Sequence, residues 1–414
     1  MTASPDYDVV VVGGGAAGYF GAISAAEFAS RPLRILVLEQ SKRTLQKVRI
    51  SGGGRCNLTH AEFDPGELTK AYPRGQLELL GPFTKFAPGD TMAWFEDQGV
   101  SLKIESDGRV FPLSDDSESI VQALNGGLRK HNIALRTQQK VTGVRARDKF
   151  WELGLLGDVR LSAKQVLLAT GSAPSVYRWL DKLGVKLVDP VPSLFTFKVD
   201  LPTLHELAGL SVNEVRIRLP QQQVETRGPL LITHWGFSGP AILRASAEAA
   251  VDLYHKGYKT CFSVSWTHST PAEALQYIEH CRKQIGKQEL QSGAHLELPK
   301  RLWRYLIERA DLAGNTRWAD LTKADLLRLS EILANDSYDM SGQNRFKAEF
   351  VTAGGIDLRE LDFRSFSLKR YPGLYAAGEL LDIDGITGGF NFQAAWTGGY
   401  LAGKAIAAAA KPGG

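Results

Sequence analysis

The feature that most constrains this chain is a glycine cluster between a β-branched run and an alanine-rich stretch. Val9–Val12 is continuous and β-branched, which suits a strand buried on both faces of a parallel sheet. Gly13, Gly15 and Gly18 follow at once. Ala16, Ala17, Ala22, Ala25, Ala26 and Ala29 then predict a small-residue helix. Ile35–Leu38 predicts a second strand, ending at Glu39, 21 residues after Gly18. Strand, glycine turn, helix and strand over about 30 residues make a βαβ unit. In such a unit the first glycine permits the turn. The second lets backbone N–H groups reach a pyrophosphate, and the third lets helix and strand pack closely. The helix N-terminus offers unpaired donors to phosphates. Glu39 can accept from ribose hydroxyls and would repel a 2′-phosphate, so the expected ligand carries a free ribose diol, as FAD and NAD do. The spacing alone is weak evidence, because the chain has 42 glycines where average usage of roughly 7% predicts about 29. The context makes it specific.

The far end of the chain separates FAD from NAD. Tyr371–Glu379 predicts a short strand ending in Gly378-Glu379, and Gly388-Gly389-Phe390-Asn391-Phe392 leads into a helix over 394–409. In FAD folds related to glutathione reductase, such a strand brings a carboxylate to the ribityl chain. The next helix N-terminus then faces the flavin's pyrimidine edge, where its dipole stabilises negative charge. Val166–Thr170 running into Gly171 predicts a crossing near the pyrophosphate. No second GxGxxG follows a strand, so no separate nicotinamide domain is expected. Ser51–Asn57 holds three consecutive glycines, which remove every Cβ beside a cofactor. There Arg55 could neutralise phosphate and Asn57 could bond a flavin edge. Cys56 has no partner cysteine nearby and reads as small buried packing.

The remaining sequence sets the organisation. Helices are expected over 90–98 and 117–131, and Asp107-Gly108 between Leu102/Ile104 and Val110/Phe111 predicts a hairpin. Pro190 and Pro192 mark a shift. Strands are expected at 195–199 and 215–219, and helices over 270–335, opened by capping boxes at Thr270 and Thr322. Sheet is expected again over 348–352. The fold class is therefore α/β. A discontinuous glutathione-reductase-like Rossmann FAD-binding domain (1–189 and 348–414) receives an inserted β domain (190–347) with a small helical subdomain. The insertion is β-rich over 190–268 and helical over 269–336.

Bulk properties exclude other classes. A net charge of +4 weakly favours an anionic ligand. Three cysteines without CxxC spacing argue against a disulfide scaffold or structural zinc. Histidine spacing suggests no metal. No basic leader and no apolar run of membrane-spanning length is visible, so a cytoplasmic protein with no membrane partner is expected. Arg301, Arg304 and Arg309 with Trp303 and Tyr305 are the nearest approach to a basic, aromatic RNA-binding stripe. A solvated amphipathic helix is the preferred reading there, so no nucleic-acid partner is expected. Thr233–Pro240 reads as a strand-to-helix corner, and His234 within it is the candidate proton donor.

The blocks Val9–Gly18, Lys47–Asn57, Gly108–Pro112, Thr233–Ala241, Ala348–Ile356 and Gly373–Gly403 together resemble a bacterial and archaeal flavoprotein family. Its members are described as NAD(P)/FAD-dependent oxidoreductases or aminoacetone-oxidase-like FAD-binding proteins. They include a bile-acid-inducible reductase of an unsaturated steroid ketone. The resemblance implies non-covalent FAD lined by Gly13, Gly15, Gly18, Glu39, Lys47, Gly54, Arg55, Cys56, Asn57, Thr170, Gly171, Gly378, Glu379, Gly389, Phe390 and Asn391. Ala16, Ala17, Gln40, Gly53 and Phe392 adjoin these positions, and Val141 matches the residue whose backbone meets adenine. The implied activity is an FAD-dependent oxidoreductase. NAD(P)H reduces the flavin, which passes hydride to an activated C=C or another small-molecule acceptor. The alternatives are a small-amine oxidase using oxygen and an RNA-binding or RNA-modifying flavoprotein. The insertion matches the family less clearly, and substrate choice would lie there.

Overall fold

The computed structural model describes residues 5–267, 269–292, 298–344 and 351–410, in two compact units. Residues 1–191 and 347–414 form the first, and residues 192–346 the second.

The first unit is built on a mixed sheet. Its parallel centre comprises β1 (Tyr7–Val12), β2 (Ile35–Leu38), β6 (Ala134–Arg136), β9 (Arg160–Leu168) and β12 (Leu374–Ala376), in the order β12-β9-β1-β2-β6. Register is direct: Val11 pairs with Val37 on one side and Leu167 on the other, and Leu167 pairs with Tyr375. Val9, Val10 and Val11 are fully buried, as a central parallel strand requires. The short strands β10 (Leu361–Asp362) and β11 (Ser367–Leu368) extend one edge antiparallel, through β12. An antiparallel flap of β7 (Val141–Ala146) and β8 (Trp151–Leu155) joins β9.

Helix α1 (Ala16–Glu27) crosses between β1 and β2, and α2 (Glu118–Lys130) precedes β6. Helix α3 (Pro174–Lys182) follows β9, and α4 (Phe390–Ala409) closes the chain. A separate three-stranded sheet contains β3 (Thr59–His60), β4 (Leu102–Ile104) and β5 (Arg109–Pro112), the last two forming the expected hairpin. The helix expected at 90–98 runs over Pro88–Asp97. The strand expected over 166–170 ends at Leu168, so Ala169 and Thr170 already belong to the loop. Residues 348–350 of the strand expected over 348–352 lie outside the described residues, and the described strand is Val351–Ile356.

The second unit has its own aromatic core, including Phe197, Phe237, Phe262 and Trp266. Among the described residues its seven strands pair antiparallel, and Ser211–Leu219, Val224–Thr233 and Thr260–Ser265 supply the long ones. Capping boxes at Thr270 and Thr322 open helices Pro271–Ile285 and Lys323–Asn335. After these helices the chain returns to the sheet as Asp336–Met340 and Gly342–Asn344. Those two strands were expected neither as sheet nor at that position. They are short, and their pairing is set by distant partners.

Candidate cofactor-binding site

The site begins where β1 ends. Gly13 has φ +115°, and a Cβ there would lie 2.2 Å from the Ala169 carbonyl oxygen. A Cβ on Gly18 would lie 2.0 Å from the Gly13 oxygen, so α1 sits directly against the turn. A Cβ on Gly15 would meet nothing within 4 Å. Gly15 caps α1 without a side-chain bond, so the first-turn N–H groups, from Ala16 on, have no side-chain cap. Glu39 holds this loop: its Oε2 accepts from Gly14 N at 2.8 Å, and its Oε1 from Ser41 N at 2.7 Å. Gln40 beside it is exposed. Gln139 N donates to Glu39 O at 2.8 Å, which brings the start of β7, with buried Val141, beside the same acid.

The C-terminal ends of β1, β9 and β12 lie side by side. Ala169 N donates to Val12 O at 2.8 Å, and Ala377 N to Leu168 O at 3.0 Å. Gly13, Thr170-Gly171 and Gly378-Glu379 therefore open at one rim, where open α/β sheets bind ligands. Gly171 and Gly378 both have left-handed φ, and a Cβ on Gly378 would lie 3.0 Å from Ala17 Cβ. Glu379 Oε1 accepts from Thr352 N at 3.1 Å, and Lys47 forms an ion pair with its Oε2. Two expected cofactor residues 332 positions apart thus meet directly. Helices α1 and α4 touch backbone to backbone: a Cβ on Gly399 would lie 2.7 Å from Ala17 O, and one on Gly403 would lie 2.5 Å from Gly21 O.

The glycine loop divides its labour differently from the expectation. Gly52, Gly53 and Gly54 all have left-handed φ, and Gly53 faces open space. The Arg55 guanidinium, expected on phosphate, instead bonds Glu105 at 2.7 Å and Asp115 at 3.4 Å and lies over the Phe111 ring. Cys56 is fully buried, and burial pushes its thiol up to about 12. It is a protonated packing residue. With its amide oriented to satisfy both polar atoms, Asn57 donates to Thr59 O and accepts from Gly389 N, each at 3.1 Å. Its amide thus positions the start of α4.

That start is held by residues the sequence reading missed. Thr59 and Thr91 both donate to Gln393 Oε1, at 2.6 and 2.9 Å, and all three side chains are fully buried. Tyr72 donates to Phe390 O at 2.7 Å, and Trp396 Nε1 to Leu58 O at 3.0 Å. The His60 ring stacks on Phe390 and its Nδ1 lies 3.1 Å from Gly388 O. Asn391 accepts from Gly385 N and donates to Gly385 O, while Phe392 stacks on Trp396. Fully buried Asp384 pairs with Arg74. A His and a Thr directly after the glycine loop were the only sequence hints.

The residues present fit a dinucleotide. Open space faces the glycines at 15 and 53, and among the described residues the Tyr177 hydroxyl is buried without a hydrogen-bond partner. Among the described residues no three His, Cys, Asp or Glu side chains converge as a metal site, and no helix is long and apolar enough to cross a membrane.

In the second unit, His234 and Trp235 form the exposed tip of a hairpin between Val224–Thr233 and Gly236–Ser238. Gly239 caps the next helix, Pro240–Glu248, so the expected corner is present with a hairpin before it. The basic stripe is divided. Arg301 and Arg304 are exposed, but Trp303 and Tyr305 point into the core, where Trp303 Nε1 donates to Leu290 O at 2.7 Å.

Comparison with known proteins places these features. The family description "HI0933-like protein Rossmann domain" matches residues 7–405. A ribosomal RNA dihydrouridine synthase of Escherichia coli is 28% identical, covering 97% of this chain and 98% of its own. A 3-dehydro-bile acid delta(4,6)-reductase of Clostridium scindens is 29% identical, covering 96% and 98%. The solved 3-ketosteroid delta1-dehydrogenase of Sterolibacterium denitrificans shares the fold, with a TM-score of 0.52 at 13% identity over 97% of this chain and 99% of that one. The expectation of no nucleic-acid partner is overturned by the first relative, whose named substrate is an RNA. The stripe at 301–309 was the wrong place to judge it, since its aromatics serve the core. By the match over residues 7–405, the chain belongs to the HI0933-like Rossmann-domain family, within the FAD-dependent oxidoreductase superfamily.

Proposed function

We propose that this protein is an FAD-dependent reductase that saturates a carbon–carbon double bond conjugated to a carbonyl, drawing its electrons from a nicotinamide nucleotide. The observation that carries the reading is the meeting of both chain ends at one rim. There the Lys47–Glu379 pair and the α4 start held by Asn57 stand beside the Gly13–Gly18 turn. FAD, when bound, supplies the two-electron hydride chemistry. The chain's own residues orient it. Glu39 accepts ribose hydroxyls, the α1 N-terminus takes the pyrophosphate, and first-turn N–H groups of α4 favour negative charge at the ring edge.

The two relatives support the substrate chemistry, because their named reactions share one step. Uridine becomes dihydrouridine when the C5=C6 bond, conjugated to a carbonyl, is saturated. A 4,6-diene beside a 3-ketone is conjugated in the same way. Hydride adds to the carbon made electron-poor by conjugation, the β-carbon of an enone or the δ-carbon of the outer double bond of a dienone, a proton adds to the neighbouring carbon of the same double bond, and the nicotinamide is oxidised. A uracil carried on RNA and an unsaturated 3-ketosteroid are the two acceptor classes of this reading, because the two relatives cover 97% and 96% of the chain.

The test is anaerobic. NADH or NADPH should bleach the protein's yellow colour, and an unmodified ribosomal RNA transcript or an unsaturated 3-ketosteroid should restore it. A reduced protein that responds to neither acceptor but recolours at once in air is an oxidase, and the reading is lost.

A further inference from the structure

The chain passes between its two units twice, between residues 191 and 192 and between residues 346 and 347. The strands beside these passages, Leu187–Ser193 and Val351–Ile356, pair with each other as a two-stranded sheet. Both chain connections to the second unit therefore run next to one ribbon. Its fit is set by backbone. Gly354 has φ +91°, and a Cβ there would lie 2.3 Å from the Asp189 carbonyl oxygen of the other strand. A Cβ on Gly355 would lie 2.4 Å from Leu380 O, so the ribbon also lies against the loop that follows β12.

In an extended strand, residues two apart present their N–H groups to the same side. Thr352, Gly354 and Ile356 present theirs to that loop. Ile356 N donates to Leu380 O at 2.9 Å, and Asp382 N donates back to Ile356 O at 3.1 Å, one step of a parallel ladder. The next step would use the Gly378 carbonyl, but that oxygen accepts from Leu381 N at 3.1 Å. Carboxylates take over the ladder instead. Asp382 Oδ1 accepts from Gly354 N at 2.9 Å, and Glu379 Oε1 accepts from Thr352 N at 3.1 Å. Bonds from backbone N–H to a charged acceptor are stronger than those to a carbonyl. The loop 378–382 thus joins the cofactor rim, at Gly378 and Glu379, to the ribbon, at Asp382.

We propose that Asp382 is a positioning residue: by holding Gly354 N it fixes the 378–382 loop and couples the order of the ribbon to occupancy of the cofactor rim. Asp382 itself touches no cofactor. The proposal rests on the FAD reading. Such a coupling is reciprocal. Bound FAD should tighten the ribbon, and a loosened ribbon should hold FAD less well.

The experiment uses the full-length protein, Asp382→Ala and Asp382→Asn. Hydrogen exchange is resolved to single amides with and without FAD, and FAD affinity is measured in parallel. In the parent, FAD should slow exchange at Thr352, Gly354 and Ile356 about fivefold or more. Without FAD, Asp382→Ala should speed exchange at all three about tenfold, as for one lost bond to a charged group. Its FAD affinity should fall about fivefold. Asp382→Asn keeps an acceptor oxygen and should stay closer to the parent in both readouts. Faster exchange confined to Gly354 overturns the proposal, because the bond then holds only itself. Equal FAD affinity in the parent and Asp382→Ala also overturns it, as does an Asp382→Asn as impaired as Asp382→Ala. Ribbon exchange in the parent that ignores FAD overturns it even if Asp382→Ala fails to fold. A parent protein that takes up no FAD overturns the FAD reading itself, a distinct result, and the cofactor-free exchange still decides whether Asp382 holds the ribbon.

Discussion

The two units solve different problems with different residues. The first positions backbone. Gly13, Gly18, Gly389, Gly399 and Gly403 stand where a Cβ would overlap neighbouring backbone, and fully buried Thr59, Thr91 and Gln393 lock the start of α4. The second packs side chains. Phe237 is edge-on to Phe262 and Tyr338, and a single fully buried carboxylate, Asp336, serves Trp266, Tyr338 and Arg309. A unit that must present backbone to a dinucleotide sacrifices side-chain contact for close approach. A unit without that demand can fill its interior with aromatic rings.

Four substitutions test this contrast, from largest effect to smallest. In the second unit, Asp336→Ala leaves Arg309 short of its charge partner and removes the acceptor of Trp266 and Tyr338. It should cost about 3 kcal/mol of stability in chemical denaturation, as for a broken buried pair, while FAD affinity is preserved. A loss under about 1 kcal/mol would show that the carboxylate does not organise that core.

In the first unit, two glycines of similar conformation should behave differently. Gly389 has φ +97° and a Cβ there would lie 2.5 Å from Thr59 backbone, whereas Gly53 has φ +70° and open space. Gly389→Ala should cost about 2–4 kcal/mol from strain plus overlap and should weaken FAD retention. Gly53→Ala should cost about 1–2 kcal/mol from conformation alone. Equal losses would mean that close approach is irrelevant at α4.

The smallest effect is acidic. Burial raises the Asp8 carboxyl, but the Arg31 guanidinium, the Arg34 backbone N–H and the Lys164 ammonium outweigh it and hold it well below the usual carboxylate range. A depressed folded value adds stability above the unfolded value of about 3.9 and loses it as pH falls further. Denaturation midpoints should therefore drop below about pH 4, and Asp8→Asn should flatten that drop. An unchanged slope in the variant would remove Asp8 from the account.

Much of this was legible locally. The βαβ unit, the hairpin at Asp107-Gly108 and the caps at Thr270 and Thr322 depend on neighbours a few residues apart, and each appears where its residues predict. Of the 42 glycines, 20 fall in the motif blocks, at positions 13, 14, 15, 18, 52, 53, 54, 108, 236, 239, 354, 355, 373, 378, 385, 388, 389, 398, 399 and 403. Partners were not legible. Arg55 looked like a phosphate ligand but meets Glu105 and Asp115, and Asn57 looked like a flavin ligand but meets Gly389. The inward turn of Trp303 and Tyr305 likewise depends on a core that no helix contains by itself.

By itself, the sequence determined a dinucleotide turn, an acid for the ribose and a glycine-rich second half. It did so because turns, caps and strand ends obey short-range backbone rules. Only the tertiary structure decided that Lys47 meets Glu379 and that β3 clasps α4. Those pairings follow from sheet order and helix crossing, which bring together residues hundreds of positions apart and leave no trace in local spacing.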